Sequence, residues 1–361
     1  MSTLLMVGTR KGLWLGTSDD ARRDWSWTGP HFQMEEVYSV LLDKRTDVPR
    51  LFAGTASSWL GPQVWRSDDL GATWAETPNG AIRFPEDTGE TLTAVWQLQP
   101  GTEDGVVWAG TQPGAVFRSE DRGETFELVR GLWDHPHRPD WAAGFGGQAF
   151  HTLLPHPGDP DRLLAAISTG GVYRTEDGGA TWEASNTGVK AEFFPGERNY
   201  PEFGQCVHKV ARDCEDPDRL FLQNHGGVYR SDDGGRSWQD IAPGLPSEFG
   251  FAVVAHPHRA RTAYTFPIAD AGARWPVDGK ARVARTTDGG ESWELLGEGG
   301  LPDRFYAAVM RDALSADDHD VPGIYVGGRN GSVFASPDEG ETWSEVIRDL
   351  PDVLVVRACA V

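Results

Sequence analysis

Apolar positions along this chain come in short alternating runs, and glycine- and aspartate-rich turns interrupt them. GGVYRT (170–175) is one such run: its alternation of apolar and polar residues suits a half-buried strand. Residues 150–185 supply four runs in succession, FHTLLPHP, RLLAAIS, GGVYRT and TWEAS. These predict four antiparallel strands, A to D, joined by tight turns.

The C–D turn recurs with the pattern Ser/Thr-x-Asp-x-Gly-x-Thr/Ser-Trp/Phe. Copies begin at Ser67, Ser119, Thr175, Ser231, Thr286 and Ser336 and end at Trp74, Phe126, Trp182, Trp238, Trp293 and Trp343. A worn copy, GTSDDARRDW, sits near the N-terminus. It reads as Thr17 and Asp19 in the first two places, Ala21 for the glycine and one extra residue before Trp25. Each letter has a physical role. The glycine accepts a positive φ, the Asp carboxylate bonds nearby backbone N–H groups, the hydroxyls close the same network, and the aromatic residue buries itself at the start of strand D.

The intervals between the Asp positions are 50, 52, 56, 56, 55 and 50 residues, one four-stranded sheet per repeat. A radial stack of such sheets is a β-propeller. Beyond the sixth copy one run remains, VLVVRACAV (353–361), while TLLMVGT and GLWLGT at the N-terminus read as strands B and C of a blade lacking its A strand. The expectation is all-β: one domain over residues 1–361, a seven-bladed β-propeller whose last blade is closed by the N- and C-terminal strands.

These repeats resemble the Asp-box, or BNR-repeat, propellers, a superfamily that includes sialidases, sortilin-type receptors, photosystem assembly-factor propellers and many bacterial proteins. The resemblance covers nearly the whole chain. It implies the fold, and it implies that the boxes are scaffold, because in sialidases they lie on the face opposite the active site. It implies no single activity, since one fold hosts many.

Acidic residues outnumber basic ones by 54 to 33, a net charge of −21, which excludes a phosphate backbone as the natural partner. No apolar run approaches the roughly 18 residues of a membrane-spanning helix, so no membrane insertion is expected. MSTLLMVGTRKG lacks a basic segment followed by a long apolar one, so no signal peptide is expected. Cys206, Cys214 and Cys359 are odd in number and lack metal-site spacing, which suits free thiols and a cytoplasmic location.

Chemistry is expected at the strand ends opposite the boxes, where the D–A and B–C loops gather. A second motif repeats there. Gly147-Gln148-Ala149-Phe150-His151 and Gly204-Gln205-Cys206-Val207-His208 are both G-Q-x-x-H, 57 residues apart at equivalent strand starts. His225 follows in the next B–C hairpin, LQNHGGVYR. Three imidazoles, His151, His208 and His225, could hold a divalent metal such as zinc with one position open. They could equally be bonded to carbonyls in the wall. His151 and His208 are the candidate acid/base pair. Gln148 and Gln205 are expected to brace the wall.

Gln112, Arg10 and Arg329, in register across the hairpins, and Arg304 before the sixth A strand are candidate substrate-binding residues, the arginines for a carboxylate. His156 and His256 read as turn residues. Two long D–A insertions, GLWDHPHRPDWAAGFGG (131–147) and KAEFFPGERNYPEFG (190–204), are rich in aromatic and charged groups and could wall a sugar site. The sialidase resemblance adds a Tyr–Glu nucleophile pair, for which Tyr38 with Glu36 or Glu35, or Tyr306, stands in. The sialidase Phe/Tyr-Arg-Ile-Pro signature is absent, which argues against sialidase activity itself. Two classes follow. One is a hydrolase- or lyase-type enzyme acting on a small anionic or carbohydrate-like substrate. The other is a non-catalytic propeller that binds a peptide or protein.

Overall fold

The computed structural model describes residues 1–77, 81–144, 147–191 and 199–361. Among them are five four-stranded antiparallel sheets and one sheet of eight strands, and the one α-helix is the four-residue Arg130–Trp133. Each four-stranded sheet runs in chain order. The third follows the sequence pattern closely, with strands at Phe150–His156, Asp159–Ile167, Gly171–Thr175 and Glu183–Ala184.

The eight-stranded sheet is two four-stranded sets in contact. Val309–Ala316, Ile324–Gly328, Val333–Ser336 and Ser344–Ile347 form one set. Val353–Ala360, Thr3–Thr9, Gly12–Ser18 and Ser26–His31 form the other. A single parallel bridge, Asp312 to Val355, joins them. The C-terminal strand lies antiparallel to the N-terminal one, with Thr3 opposite Ala360, Leu5 opposite Ala358 and Val7 opposite Val356. The expected closure by both ends is therefore present. It satisfies an edge that would otherwise expose a row of N–H and C=O groups.

The chain divides into two compact units. One comprises residues 1–33, 187–200 and 208–361, the other residues 34–186 and 201–207. In the second unit the sheet faces bury Phe52, Leu98, Val107 and Phe117, and a neighbouring cluster buries Phe150, Ile167 and Tyr173. In the first unit Leu5, Val7, Tyr264, Phe266, Tyr325 and Val326 are fully buried in one cluster. Burying apolar side chains of this size supplies about 1.5–3 kcal/mol each.

All six clear boxes adopt one hydrogen-bond network. In the first, the Ser67 hydroxyl donates to Asp69 Oδ1 at 2.7 Å and accepts the Gly71 amide at 2.8 Å. The Thr73 amide donates to Asp69 Oδ1 at 2.9 Å, and its hydroxyl to Oδ2 at 2.6 Å. The hydroxyl–Oδ2 distance is again 2.6 Å at Asp121, Asp177, Asp233, Asp288 and Asp338. The box glycines take positive φ, from 79° at Gly123 to 101° at Gly340. The arginine just before a box reaches the next box within the same unit. Arg230 donates to the Gly289 carbonyl at 2.7 Å, and Arg285 to Glu341 at 2.8 Å.

The worn copy corrects the sequence reading. Thr17 pairs with Ser26, as Arg66 pairs with Ala75. Ser18, not Thr17, therefore holds the hydroxyl place, and there is no extra residue. Arg22, not Ala21, replaces the glycine, with φ of 54°. The Trp25 indole donates to the Arg22 carbonyl, as Trp182 does to Gly179 and Trp343 to Gly340. The Arg22 guanidinium compensates for the strained backbone. It is buried and bonds Asp317 at 3.0 and 3.2 Å and the carbonyls of Val321 and Pro337 at 2.9 Å. Asp317 also accepts the Tyr325 hydroxyl at 2.7 Å.

Three outcomes are expected. Removing residues 353–360 exposes the edge of Thr3–Thr9, and a large fall in melting temperature should follow; an unchanged melt would contradict the pairing. Arg22→Ala leaves the Asp317 carboxylate buried without its cation and should cost about 3–5 kcal/mol in urea unfolding. Acid should weaken the boxes. The Thr73 hydroxyl, then its amide and the Ser67 hydroxyl, hold Asp69 at about 2, and equivalent bonds hold Asp177 and Asp288 at about 2. At Asp121, Asp233 and Asp338 burial alone would raise the value, but the same bonds together bring it below the usual range. These folded values lie below the unfolded one of about 3.9, so the unfolded chain takes up protons first. The stabilisation is complete above about pH 4 and is lost as pH falls toward about 2. Melts across that window should fall steeply, and less steeply for Asp177→Asn.

Candidate functional site

In the third sheet Phe150 lies opposite Ile167, and Ile167 opposite Gly171, whereas the box residue Thr175 lies opposite Leu163. The start of the first strand and the box are thus at opposite ends of the sheet. The G-Q-x-x-H motifs stand at the starts. Their glycines have φ of 88° at Gly147 and 104° at Gly204, the turns that admit the chain to the strand. Gln148 donates to the Trp141 carbonyl at 3.0 Å and Gln205 to the Pro201 carbonyl at 2.7 Å, so both amides brace loops.

His208 is buried, and its Nδ1–H donates to the Gly250 carbonyl at 2.5 Å, which leaves the lone pair on Nε2. Burial, reinforced by the positive charge of Arg311, holds its pKa well below the ordinary value, so the ring is neutral at pH 7. His225 lies edge-on to it, with ring centroids 5.5 Å apart, and Phe249 and Phe251 pack against the pair. The metal-capable donor group here is Cys206, His208 and His225, all within 4.8 Å of one another. The expected third donor was His151, and it is not part of this group. Its ring is buried with Nδ1 3.4 Å from the Thr152 hydroxyl, and its carbonyl accepts the Gln97 amide. Sequence reasoning passed over Cys206 because Cys-x-His is a spacing too short to be diagnostic, although strand alternation puts residues 206 and 208 on one face.

Tyr38 and Glu36 are hydrogen-bonded to each other, phenol to carboxylate. Tyr38 packs on Trp96 with centroids 4.9 Å apart, and the Trp96 indole donates to Gln112 Oε1 at 2.9 Å. Glu35 is buried instead and accepts the Thr55 hydroxyl at 2.5 Å. Tyr306 is exposed, edge-on to Trp275.

Arg10 and Arg329 are brought together, but by Asp352, which receives Arg10 Nε at 3.4 Å and Arg329 Nη2 at 2.5 Å. That carboxylate offsets the positive spot the sequence suggested. Arg304 is exposed. Three of the cations the sequence reading missed, Lys209, Arg311 and Arg357, stand in first strands. Lys209 Nζ lies 2.6 Å and Arg357 Nη2 3.8 Å from the same Asp312 oxygen. Arg311 is buried, its guanidinium carbon 5.5 Å from the Phe251 ring centre, and Arg274 approaches the same ring at 5.8 Å. Burial lowers the Lys209 pKa; Asp312 opposes that shift, while Arg357 and Arg311 add to it. The signal was available: the other first strands carry no Lys or Arg, as in YSVLLD and FAVVAH, whereas these read VHKVAR, VMRDAL and VVRACA.

His156 and His256 make turns, as expected. In His156-Pro157-Gly158 and His256-Pro257-His258 the first ring's Nδ1 accepts the amide two residues on, at 3.2 and 3.0 Å. His135 does the same for His137 at 3.1 Å. Residues 145–146 and 192–198 of the two aromatic insertions lie outside the described residues. No helix among the described residues is long and apolar enough to cross a membrane.

No protein-family model matches the chain. Two curated xyloglucanases are similar in part. That of Paenibacillus sp. is 24% identical over 258 residues, 68% of this chain and 19% of that protein. That of Hypocrea jecorina (strain QM6a) is 26% identical over 128 residues, 36% of this chain and 14% of that protein. The chain therefore spans under a fifth of the length of either. Among solved structures, an ancestral GH74 enzyme matches 86% of this chain and 38% of its own at a TM-score of 0.57 and 16% identity. YCF48 bound to D1 peptide matches 86% and 81% at a TM-score of 0.52 and 14% identity. At such identities the likeness shows the fold alone. The fold is an all-β propeller of the kind found in glycoside hydrolases of this type and in YCF48.

Proposed function

We propose that residues 1–361 form one domain, a seven-bladed propeller of the Asp-box kind, with the eight-stranded sheet contributing two blades. Its ligand is a small anionic or carbohydrate-like molecule, held at the strand ends opposite the boxes. The observation that carries this reading is the gathering of Lys209, Arg311, Arg357 and Arg274 near one carboxylate, Asp312, and one aromatic face, in a chain of net charge −21. An acidic protein repels anions at long range, so a cation cluster partly screened from water has a use only at short range, where it can pair with an anionic group. The Tyr38–Glu36 pair, a phenol held by a carboxylate, supports glycoside-hydrolase-like chemistry on the same fold. The likeness to xyloglucanases and the GH74 enzyme supports a carbohydrate ligand. The reaction class would be a hydrolase or lyase.

A non-catalytic, peptide-binding propeller is the second reading, favoured by the likeness to YCF48 bound to a peptide. Calorimetric titration with a sugar acid such as glucuronate, with glucose as the neutral control, tests the first. The acid should bind and glucose should bind weakly or not at all. Arg357→Ala should weaken the acid about tenfold to a hundredfold, because a hydrogen bond to a charged group is worth about 1.5–3 kcal/mol. Equal binding of both sugars, or an unaffected Arg357→Ala, would sink the anionic reading and leave the peptide one.

A further inference from the structure

The geometry points to a site for a thiophilic divalent metal, zinc by preference, formed by Cys206 Sγ and the imidazoles of His208 and His225. The inference rests on the donor group and not on the anionic-ligand reading.

The three donors come from one sheet. Cys206 immediately precedes the strand Val207–Arg212, and His208 is that strand's second residue, so alternation turns both side chains to the same face. His225 follows the strand Leu220–Asn224 in the hairpin. All three donor atoms lie within 4.8 Å of one another. Bonds of about 2.0–2.3 Å place tetrahedral donors about 3.3–3.8 Å apart, so closing on an ion takes rotations of about 1 Å.

His208 is already held in one tautomer. Its Nδ1–H is fixed on the Gly250 carbonyl, the arrangement by which a metal-binding histidine is held in one tautomer with Nε2 directed at the ion. Phe249 and Phe251 confine both rings and form a wall of low polarity. Cys206 and His208 are buried while His225 is only half-buried, so the group opens to solvent on one side. Two imidazoles and a thiolate leave one tetrahedral position for water or ligand, an open rather than a closed structural site.

The sulfur decides which metal and explains why it is needed. Thiolate disfavours magnesium and calcium, which take oxygen ligands. Arg311 and His208 both pack against the Phe251 ring, so a dication held by neutral imidazoles alone would face that guanidinium at full charge. A Cys206 thiolate removes one unit of it. The same guanidinium then favours an anionic fourth ligand on the metal.

The test uses the full chain, stripped with a chelator and titrated with Zn²⁺ and with Co²⁺ as the spectroscopic probe. One equivalent should bind, and the Co²⁺ form should show a thiolate-to-cobalt charge-transfer band. Cys206→Ser should abolish that band and weaken Zn²⁺ at least tenfold. His225→Ala, at the half-buried position least able to disturb folding, should also weaken Zn²⁺ at least tenfold with an unchanged melting temperature of the metal-free protein. Failure to bind one equivalent would overturn the inference. So would a charge-transfer band that survives in Cys206→Ser, or Zn²⁺ affinity indifferent to His225→Ala. The sugar-acid titration is run on the metal-free protein, so either result stands without the other.

Discussion

The box carboxylate is the constraint from which the rest follows. One Asp accepts an amide, a hydroxyl on the far side of the turn and a hydroxyl on the near side, so the hairpin's polar groups are satisfied within eight residues. A turn that closes itself this way needs nothing from the other end of the sheet. The arginine before it can then reach the next box, as Arg230 and Arg285 do, and this ties neighbouring repeats together at the same end. Stability is thus concentrated at one end of each sheet, and the opposite strand ends are free to vary. That freedom is visible at the irregularity early in the first strand, where Tyr38, Trp96 and His151 stand between the paired residues of their sheets.

Where the network is lost, the chain replaces it with a stronger and more particular interaction. Arg22 sits where six repeats have glycine, and an isolated left-handed arginine costs about 1–2 kcal/mol of backbone strain. Four hydrogen bonds to Asp317 and two carbonyls compensate, and they fasten the worn turn to the neighbouring set of strands. The repeat signal thus weakens at the place where the two chain ends meet, and a specific long-range pair takes over there.

The strands and their order were legible because they rest on local rules: alternation, turn chemistry and a fixed interval. The worn copy was misaligned by one residue for the same reason. A local pattern cannot reveal that an arginine finds its partner 295 residues away. The candidate site shows the same division. The register that placed Gln148, Gln205, His156 and His256 came from the repeat, and their bonds are local. The fate of Arg10 and Arg329 depends on Asp352, which the repeat does not specify. Cys206 was hidden inside a motif read for its Gln and His.

Lys209, Arg311 and Arg357 went unnoticed because a lone charge in a strand is usually a solvated one. Partial shielding inverts that: Arg311 is buried, and Lys209 and Arg357 are partly covered. Desolvating a cation costs several kcal/mol unless a partner offsets it, and the first strand of an apolar sheet is a costly place to keep three. Asp312 offsets part of that cost for Lys209, which it holds at 2.6 Å, and less for Arg357 at 3.8 Å. The other first strands hold small or uncharged polar residues, Ser39, Gln97 and Thr152, just past the same irregularity. On the proposed reading, charge is retained at these three positions because the ligand is an anion.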